Sequence, residues 1–294
     1  MKKCILFILT AMILFSNLTV VFSDETMHHK RIVRYAFTSF FTDIDLSFAL
    51  GAIDLWGKKI GDRAGFESQC YMLDSIDKLS EKIRNNEIDI ASTLSVDYLR
   101  MKKTLNIELA YARISNNSIA ESYYVLARKD ANISAISDLK DKRFALTKND
   151  EIAKLYINTL LLKEFQQELS SVCSSITHKT KFSQSCYAVF FGDADACIVL
   201  QSTYDLLCEL NPQVKQAVNI ISISQPFVRF ITFYRQNFEE HIKILFKNAV
   251  LSMFDHEEGK QMMMLFKVDG IQEIIDEHLE SVANLIKEYE TLKQ

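Results

Sequence analysis

Hydroxyl, amide and lysine side chains stand where strand-like runs of the sequence pass into predicted helices. Such a side chain can cap the helix, and the unpaired N–H groups and positive dipole end of that helix also attract anions. If several helix starts converge, they form a site for a small anion or a polar zwitterion. The predicted ligand contacts are Ser39, Thr93, Ser95, Thr147, Lys148, Asn149, Ser183 and Gln201. For each of them, capping alone remains the alternative.

Aromatic residues and the absence of catalytic motifs complete this prediction. Tyr98 and Tyr123 are expected to wall the same cleft. The sequence contains no Gly-x-Ser-x-Gly, Gly-x-x-x-x-Gly-Lys, Gly-x-Gly-x-x-Gly or His-Glu-x-x-His motif. We therefore expect a binding protein that is not an enzyme and has no cofactor and no metal site. A secreted hydrolase remains the enzymatic alternative.

The chain contains one block of sequence twice. Residues 83–91 and 189–197 share a pattern in which Asn86 matches Gly192 and Asp89 matches Asp195, each pair 106 residues apart. Both copies read as a helix, a turn residue able to take positive φ, an acidic residue and a short buried strand. Two copies predict two similar α/β lobes of doubly wound topology, with a cleft at the carboxyl ends of their strands. The alternative is the general similarity of any two βα units.

The order of predicted elements assigns the lobes. Residues 24–122 form the first part of lobe 1, residues 123–227 an inserted lobe 2, and residues 228–294 the second part of lobe 1 with the C-terminal helices. The strand at residues 123–127 is predicted to cross into lobe 2, and residues 218–234 to cross back. The two crossover strands would act as a hinge. Residues 271–292 are predicted to form one helix of lobe 1.

The first 23 residues have the pattern of a signal peptide. Lys2 and Lys3 form a positive n-region, residues 5–15 are apolar, and residues 21–23 suit signal peptidase. We expect cleavage near Ser23 and a periplasmic mature protein. An uncleaved membrane anchor is the alternative.

Charge and cysteine content restrict the partners. The net charge is −4 and there is no basic run, so nucleic acid is not an expected partner. After the leader, five cysteines remain, an odd number, and a disulfide between Cys173 and Cys186 is possible in an exported protein. We expect a monomer.

Several segments resemble the phosphate/phosphite/phosphonate-binding periplasmic proteins of ABC transporters. They include residues 88–99, residues 127–130, the Ser-Asp-Leu-Lys-x-Lys-Arg element at 137–143 and residues 188–196. The resemblance spans roughly residues 31–235 and implies the type II periplasmic binding-protein fold. In that family a Ser/Thr-rich turn follows the strand equivalent to residues 144–147 and helps to hold the anion. Here Thr147-Lys148-Asn149-Asp150 takes its place, and Asp150 and Glu151 add carboxylates that would repel a dianion.

The resemblance implies a periplasmic solute-binding protein of an ABC-type importer, with a phosphate- or phosphonate-like ligand between its lobes. Its partners would be that small molecule and a membrane permease. The same fold would also suit a periplasmic subunit that signals ligand occupancy to a membrane receptor, because fold does not decide between these outputs.

Overall fold

The computed structural model describes residues 30–38, 46–266 and 268–294. The predicted leader and Ser39 lie outside these residues. From Arg31 to the C-terminus the described part of the chain forms one compact unit with two large β-sheets and one two-stranded sheet.

The first part of lobe 1 alternates strands and helices. Its elements are β1 (Ile32–Thr38), α1 (Leu46–Ala64), β2 (Glu67–Leu73), α2 (Ile76–Arg84), β3 (Ile90–Leu94), α3 (Ser95–Lys102) and β4 (Ile107–Ile114). Ser75 caps α2 by accepting a hydrogen bond from the Lys78 N–H at 3.2 Å. Strand β4 has no regular alternation of apolar and polar residues, because Ala110 and Ala112 stand between its larger apolar side chains and Arg113 follows them, so the sequence did not predict it.

Two short strands carry the chain between the lobes. Strand β5 (Ala120–Glu121) leads into lobe 2, and its antiparallel partner β11 (Phe227–Val228) leads back. The crossing therefore occurs just before Tyr123, whose own strand belongs wholly to the sheet of lobe 2. The return falls inside the predicted stretch of residues 218–234.

Lobe 2 repeats the alternation between these crossovers. Its elements are β6 (Tyr123–Arg128), β7 (Arg143–Thr147), α4 (Glu151–Phe165), α5 (Leu169–Val172), β8 (Ser175–Lys179), α6 (Phe182–Phe191), β9 (Ala196–Leu200), α7 (Gln201–Leu210), α8 (Pro212–Ala217) and β10 (Val218–Ile223). Its sheet has the order β10-β6-β9-β7-β8. Only β7, β8 and β9 pair in parallel, and β6 runs antiparallel beside β9.

The chain then returns to lobe 1 and ends on lobe 2. After β11 come β12 (Phe230–Arg235), α9 (Glu240–Ser252), α10 (Glu257–Leu265), β13 (Gly270–Glu273) and α11 (Glu280–Leu292). Strands β12 and β13 complete a six-stranded sheet of order β13-β4-β12-β3-β1-β2. In this sheet β1, β2 and β3 are parallel and β12 is antiparallel beside β3, which is the arrangement of lobe 2.

The C-terminal segment differs from its prediction in two respects. Residues 270–273 form an edge strand rather than the start of a helix. The apolar side chains of Val282, Leu285 and Ile286 in α11 pack into the core of lobe 2, and α11 contacts α4. An i, i+3, i+4 pattern identifies the buried face of a helix but not the lobe that covers it, so the sequence placed α11 with lobe 1.

The repeated block has the same backbone geometry in both lobes. Asn86 and Gly192 both take positive φ, at 52° and 86°, as predicted. Asp89 N–H donates to Arg34 O and its Oδ2 accepts from Arg34 N–H, both at 2.9 Å. Asp195 makes the same pair of bonds with Arg143, at 2.8 and 2.9 Å. The two lobes are therefore versions of one βα arrangement, and the predicted α/β fold with two doubly wound lobes is confirmed.

The buried Asp89 also pairs with three arginines, which lie just before β1, within β1 and at the end of β12. Arg31, Arg34 and Arg235 all donate to its carboxylate, whose side chain is fully buried. Burial alone would raise the pKa of Asp89, but the Arg34 N–H and the surrounding guanidinium groups outweigh it and lower that pKa. The carboxylate therefore ties the entry of β3 to β1 and β12.

The cysteines and the apolar helices of the described part of the chain were compared with the sequence predictions for a disulfide and a membrane span. Cys70, Cys173, Cys186, Cys197 and Cys208 are all free thiols, so the disulfide considered between Cys173 and Cys186 is not formed. Cys197 is buried in β9, as expected for a small core residue. Among the described helices, none has the length and apolar character needed to span a membrane.

The repeat provides a matched test of backbone strain. We expect Gly192→Ala to lower the free energy of unfolding by about 1–2 kcal/mol, because φ is positive and a new Cβ would meet the Arg128 guanidinium. Asn86→Gly is the control, since glycine accepts the same conformation at the equivalent turn. Urea unfolding of both variants measures the difference. Equal losses at the two sites would contradict this account.

Candidate functional site

A cavity of about 560 Å³ opens at the carboxyl ends of β1, β2 and β3. Thr38, Asp74 and Leu94 line it from the ends of these strands, and α2 and α3 add further side chains. Asn149 and Glu151, at the start of α4, line it from lobe 2. Both lobes therefore contribute to one cavity, at the position where doubly wound sheets bind ligands.

The charged lining of the cavity is mixed. Four carboxylates face two guanidinium groups; they belong to Asp74, Asp77, Asp97, Glu151, Arg84 and Arg100. Hydroxyl groups of Thr38, Ser75, Ser80 and Thr104 add uncharged donors and acceptors. Such a lining can hold both ends of a zwitterion.

Arg100 links the two lobes across the cavity. Its Nη1 lies 3.7 Å from Asp97 Oδ1 in its own helix and 3.6 Å from Glu151 Oε2 in lobe 2. Asp97 is largely buried, with 13% of its side chain exposed. Burial raises the pKa of Asp97 to about 6, and Glu151 adds to that rise while Arg100 opposes it.

The start of α4 holds a second, buried charged group behind the cavity. Asp150 is the N-cap: its Oδ1 accepts from the Ala153 N–H at 2.8 Å and from the Tyr123 hydroxyl at 2.7 Å. Its Oδ2 accepts from Nη2 of Arg229, which lies between β11 and β12. Burial raises the pKa of Tyr123 well above its usual range, so this hydroxyl stays protonated and donates.

Hydroxyl groups predicted to face a ligand make bonds within the protein. Thr93 bonds to Thr38 at 2.8 Å, and Thr38 itself lines the cavity. Ser95 donates to the Val228 carbonyl of the crossover β11. Thr147 bonds to Ser185 at 3.0 Å in lobe 2. All three are buried, so they fix the strand ends around the cleft.

The remaining predicted residues lie at different distances from the cavity. Asn149 lines it with a φ of 59°. Lys148 is exposed beside it, Ser183 is half-buried in the first turn of α6, and Gln201 begins α7, with its N–H bonded to Ser122 O. Tyr98 is fully buried in the core of lobe 1 against Phe233 and is not part of the cavity wall. Ser39 is outside the described residues.

Sequence reasoning missed the charged residues that distinguish this cleft. Arg84 ends α2 and Arg100 lies in the last turn of α3, where a cation normally complements the helix dipole. Arg229 lies in the predicted crossing, next to Phe230, and an isolated arginine in an apolar strand was the only available signal. Among the described residues no cluster of His, Cys, Asp or Glu could hold a metal ion.

The model of one protein family, described as the periplasmic substrate-binding protein of the ABC phosphonate transporter, matches residues 52–279. No curated protein matches the sequence.

Solved structures share the fold at low sequence identity. A binding protein component of an ABC phosphonate transporter from Pseudomonas aeruginosa is 12% identical, with a TM-score of 0.66 over 90% of this chain and 88% of the other. PhnD1 from Prochlorococcus marinus in complex with methylphosphonate is also 12% identical, with a TM-score of 0.67 over 90% and 99%. A Xanthomonas citri protein bound to ATP is 11% identical, with a TM-score of 0.70 over 90% and 98%.

The raised pKa of Asp97 predicts a pH dependence of stability. Its folded pKa of about 6 lies above the ordinary value of 3.8, so the folded state holds the proton more tightly. Stability should therefore fall as pH rises from about 4 to 6, by up to about 3 kcal/mol for this group. Asp97→Asn should remove that fall.

Chemical unfolding of the parent and Asp97→Asn at several pH values measures this effect. The exposed Asp77, changed to Asn, is the control for loss of a carboxylate from the same cavity. If Asp97→Asn keeps the parental profile between pH 4 and 6, the charge of Asp97 is not buried as described.

Proposed function

Because this chain belongs to the family of periplasmic substrate-binding proteins of ABC phosphonate transporters, we propose that it binds a small zwitterionic phosphonate in the cavity between its lobes. The family consists of solute-binding proteins rather than enzymes. Membership implies a small-molecule ligand, a membrane permease as partner and a periplasmic location. The mixed-charge cavity built by both lobes is the observation that supports this ligand.

The charges of the cavity favour a ligand with both an anionic and a cationic group. Arg84 and Arg100 would receive the anionic end. Arg100 is already faced by Asp97 and Glu151, whereas Arg84 has no carboxylate partner among the described residues, so Arg84 is the stronger anchor. The surrounding carboxylates would receive an amino group. A dianion without a cation would meet more negative than positive charge and bind less well.

Residues predicted from the sequence contribute in two ways to this proposal. Asn149 would contact the ligand directly, with Lys148 near the entrance. Thr93, Ser95, Tyr123 and Thr147 would hold the strand ends and helix starts that shape the cleft, with Ser183 and Gln201 at its lobe 2 side. Tyr98 supports α3 from the core.

Delivery to a permease requires that ligand binding change the shape of the protein. The lobes are joined by the paired crossovers β5 and β11, and Arg100 and Glu151 approach each other across the cavity. A ligand that contacts both walls would favour the closed form. Export with removal of residues 1–23 and a monomeric state are parts of the same proposal. The similarities give no support to the sensor alternative.

A matched set of ligands tests the proposed chemistry. Aminomethylphosphonate should bind more tightly than methylphosphonate, because the amino group meets the carboxylates of the cavity. Arg84→Gln should weaken binding of aminomethylphosphonate about tenfold or more, since a hydrogen bond between charged groups is lost. Calorimetric titration provides both measurements.

Lys82→Gln is the control for Arg84→Gln. It removes a positive charge from the same helix, at a residue that pairs with Glu87 and does not line the cavity. The proposal fails if both variants bind alike, or if methylphosphonate binds as tightly as its amino derivative.

Closure of the lobes should be visible in solution. With saturating ligand, small-angle scattering should give a smaller radius of gyration than the free protein, because the lobes rotate about β5 and β11. The control is Arg84→Gln at the same ligand concentration, chosen so that this weaker-binding variant stays largely unbound. Any change in its radius would come from the effect of the ligand on the solvent. A radius that is unchanged while calorimetry shows saturation would exclude closure.

A further inference from the structure

The start of α4 has the donors of an anion-binding site, and the chain fills it with its own carboxylate. We propose that Asp150 is a built-in anion that keeps phosphate and phosphonate groups away from this position and confines ligands to the outer, mixed-charge cavity. The proposal rests on the proposed function, because it concerns the specificity of the same cleft.

The donors around Asp150 converge from three parts of the chain. The Ala153 N–H belongs to the first turn of α4, the Tyr123 hydroxyl to the first residue of β6, and the Arg229 guanidinium to the segment between β11 and β12. Asp150 is only 3% exposed. A helix N-terminus, a hydroxyl and an arginine are the groups that bind phosphate and other oxyanions in proteins.

Arg229 has more hydrogen-bond donors at this position than Asp150 accepts from. It is 8% exposed, and its Nε has no hydrogen-bond partner in the described structure. Only Nη2 reaches the carboxylate. Because a guanidinium can bind an oxyanion through two parallel N–H groups, one donor of the fork is left for an anion with more oxygens.

The surroundings hold this guanidinium in place. The rings of Phe182 and Phe230 lie 5.3 and 4.8 Å from its central carbon, and the Arg229 carbonyl accepts from the Ser95 N–H at 2.8 Å. Arg229 therefore cannot leave for solvent without breaking contacts to both lobes. A negative charge must remain beside it.

Helix capping alone does not require this arrangement. A serine or asparagine would satisfy the Ala153 N–H equally well. The second carboxylate oxygen is bonded to Arg229 instead, so the charge of Asp150 serves the guanidinium. While that charge is present, an incoming dianion meets repulsion from Asp150 and from the neighbouring Glu151.

Removal of the internal anion should let an external one bind. In Asp150→Ser the cap is kept, the charge is lost and space is opened. We expect methylphosphonate to raise its thermal unfolding temperature saturably and to bind about tenfold or more tightly than to the parent. Inorganic phosphate is the second probe, and all measurements use one ionic strength.

Two further variants identify the source of any response. Asp150→Ser combined with Arg229→Gln removes the cation too, and should lose the response to methylphosphonate. Asp195→Asn removes a carboxylate that pairs with Arg143 outside the cleft, and should respond as the parent does. The proposal is wrong if Asp150→Ser responds no more than the parent, or if the double variant responds as strongly as Asp150→Ser.

Loss of folding is also informative. If Asp150→Ser is unfolded without anions, Asp150→Asn, which keeps the size of the side chain, takes its place. Recovery of structure by either variant on addition of methylphosphonate supports the proposal. If both remain unfolded at saturating methylphosphonate, an external anion cannot replace Asp150 and the proposal is overturned.

Failure of this inference and failure of the proposed function would give different results. Binding of aminomethylphosphonate to the parent tests the outer cavity, whereas the gain of methylphosphonate binding by Asp150→Ser tests the inner position. If the parent does not bind aminomethylphosphonate but Asp150→Ser gains binding of methylphosphonate, only the proposed ligand is rejected. The reverse pattern would reject only the role of Asp150.

Discussion

The buried charge of Arg229 is the constraint on which the cleft depends. This guanidinium lies where the second crossover enters lobe 1, and Asp150 at the start of α4 is its partner. The backbone carbonyl of Arg229 also accepts a hydrogen bond from the first N–H of α3. One residue therefore fixes helix starts in both lobes relative to the crossover. Loss of one partner of a buried pair typically costs 3–5 kcal/mol, which is a large part of the stability of a domain.

The sequence was sufficient for those features whose causes are local. A residue that can take positive φ, followed three residues later by an aspartate, indicated the same turn at Asn86 and Gly192, and both turns are present. Short apolar runs indicated the buried strands, and together these signals predicted two similar α/β lobes. The strand at residues 123–127, predicted as the crossing, lies wholly in the sheet of lobe 2, and the short β5 before it leads the chain across.

The site was less predictable because its pairings are distant in sequence. Asp150 and Arg229 are 79 residues apart, and Thr38 and Thr93 are 55 apart. A hydroxyl after a strand predicts that something polar is bonded there, but not whether the partner is a ligand or another strand. Arg84 and Arg100 are typical of helix C-terminal turns, so only the folded structure shows that they line one cavity. For the same reason the buried face of α11 was evident, but its lobe was not.

An internal carboxylate has a physical advantage over a free anion at the same position. Asp150 is held at the helix start by the chain, so its effective concentration there is high and no translational freedom is lost when it pairs with Arg229. A free phosphonate would have to displace it and leave it unpaired, or bind beside it against repulsion. Specificity is a difference between the affinities for two ligands, and a repulsive group lowers the affinity for the unwanted ligand. The cleft thus separates two tasks: Arg229 and Asp150 preserve the geometry of the junction, which leaves ligand selection to the outer cavity of Arg84, Arg100 and their carboxylates.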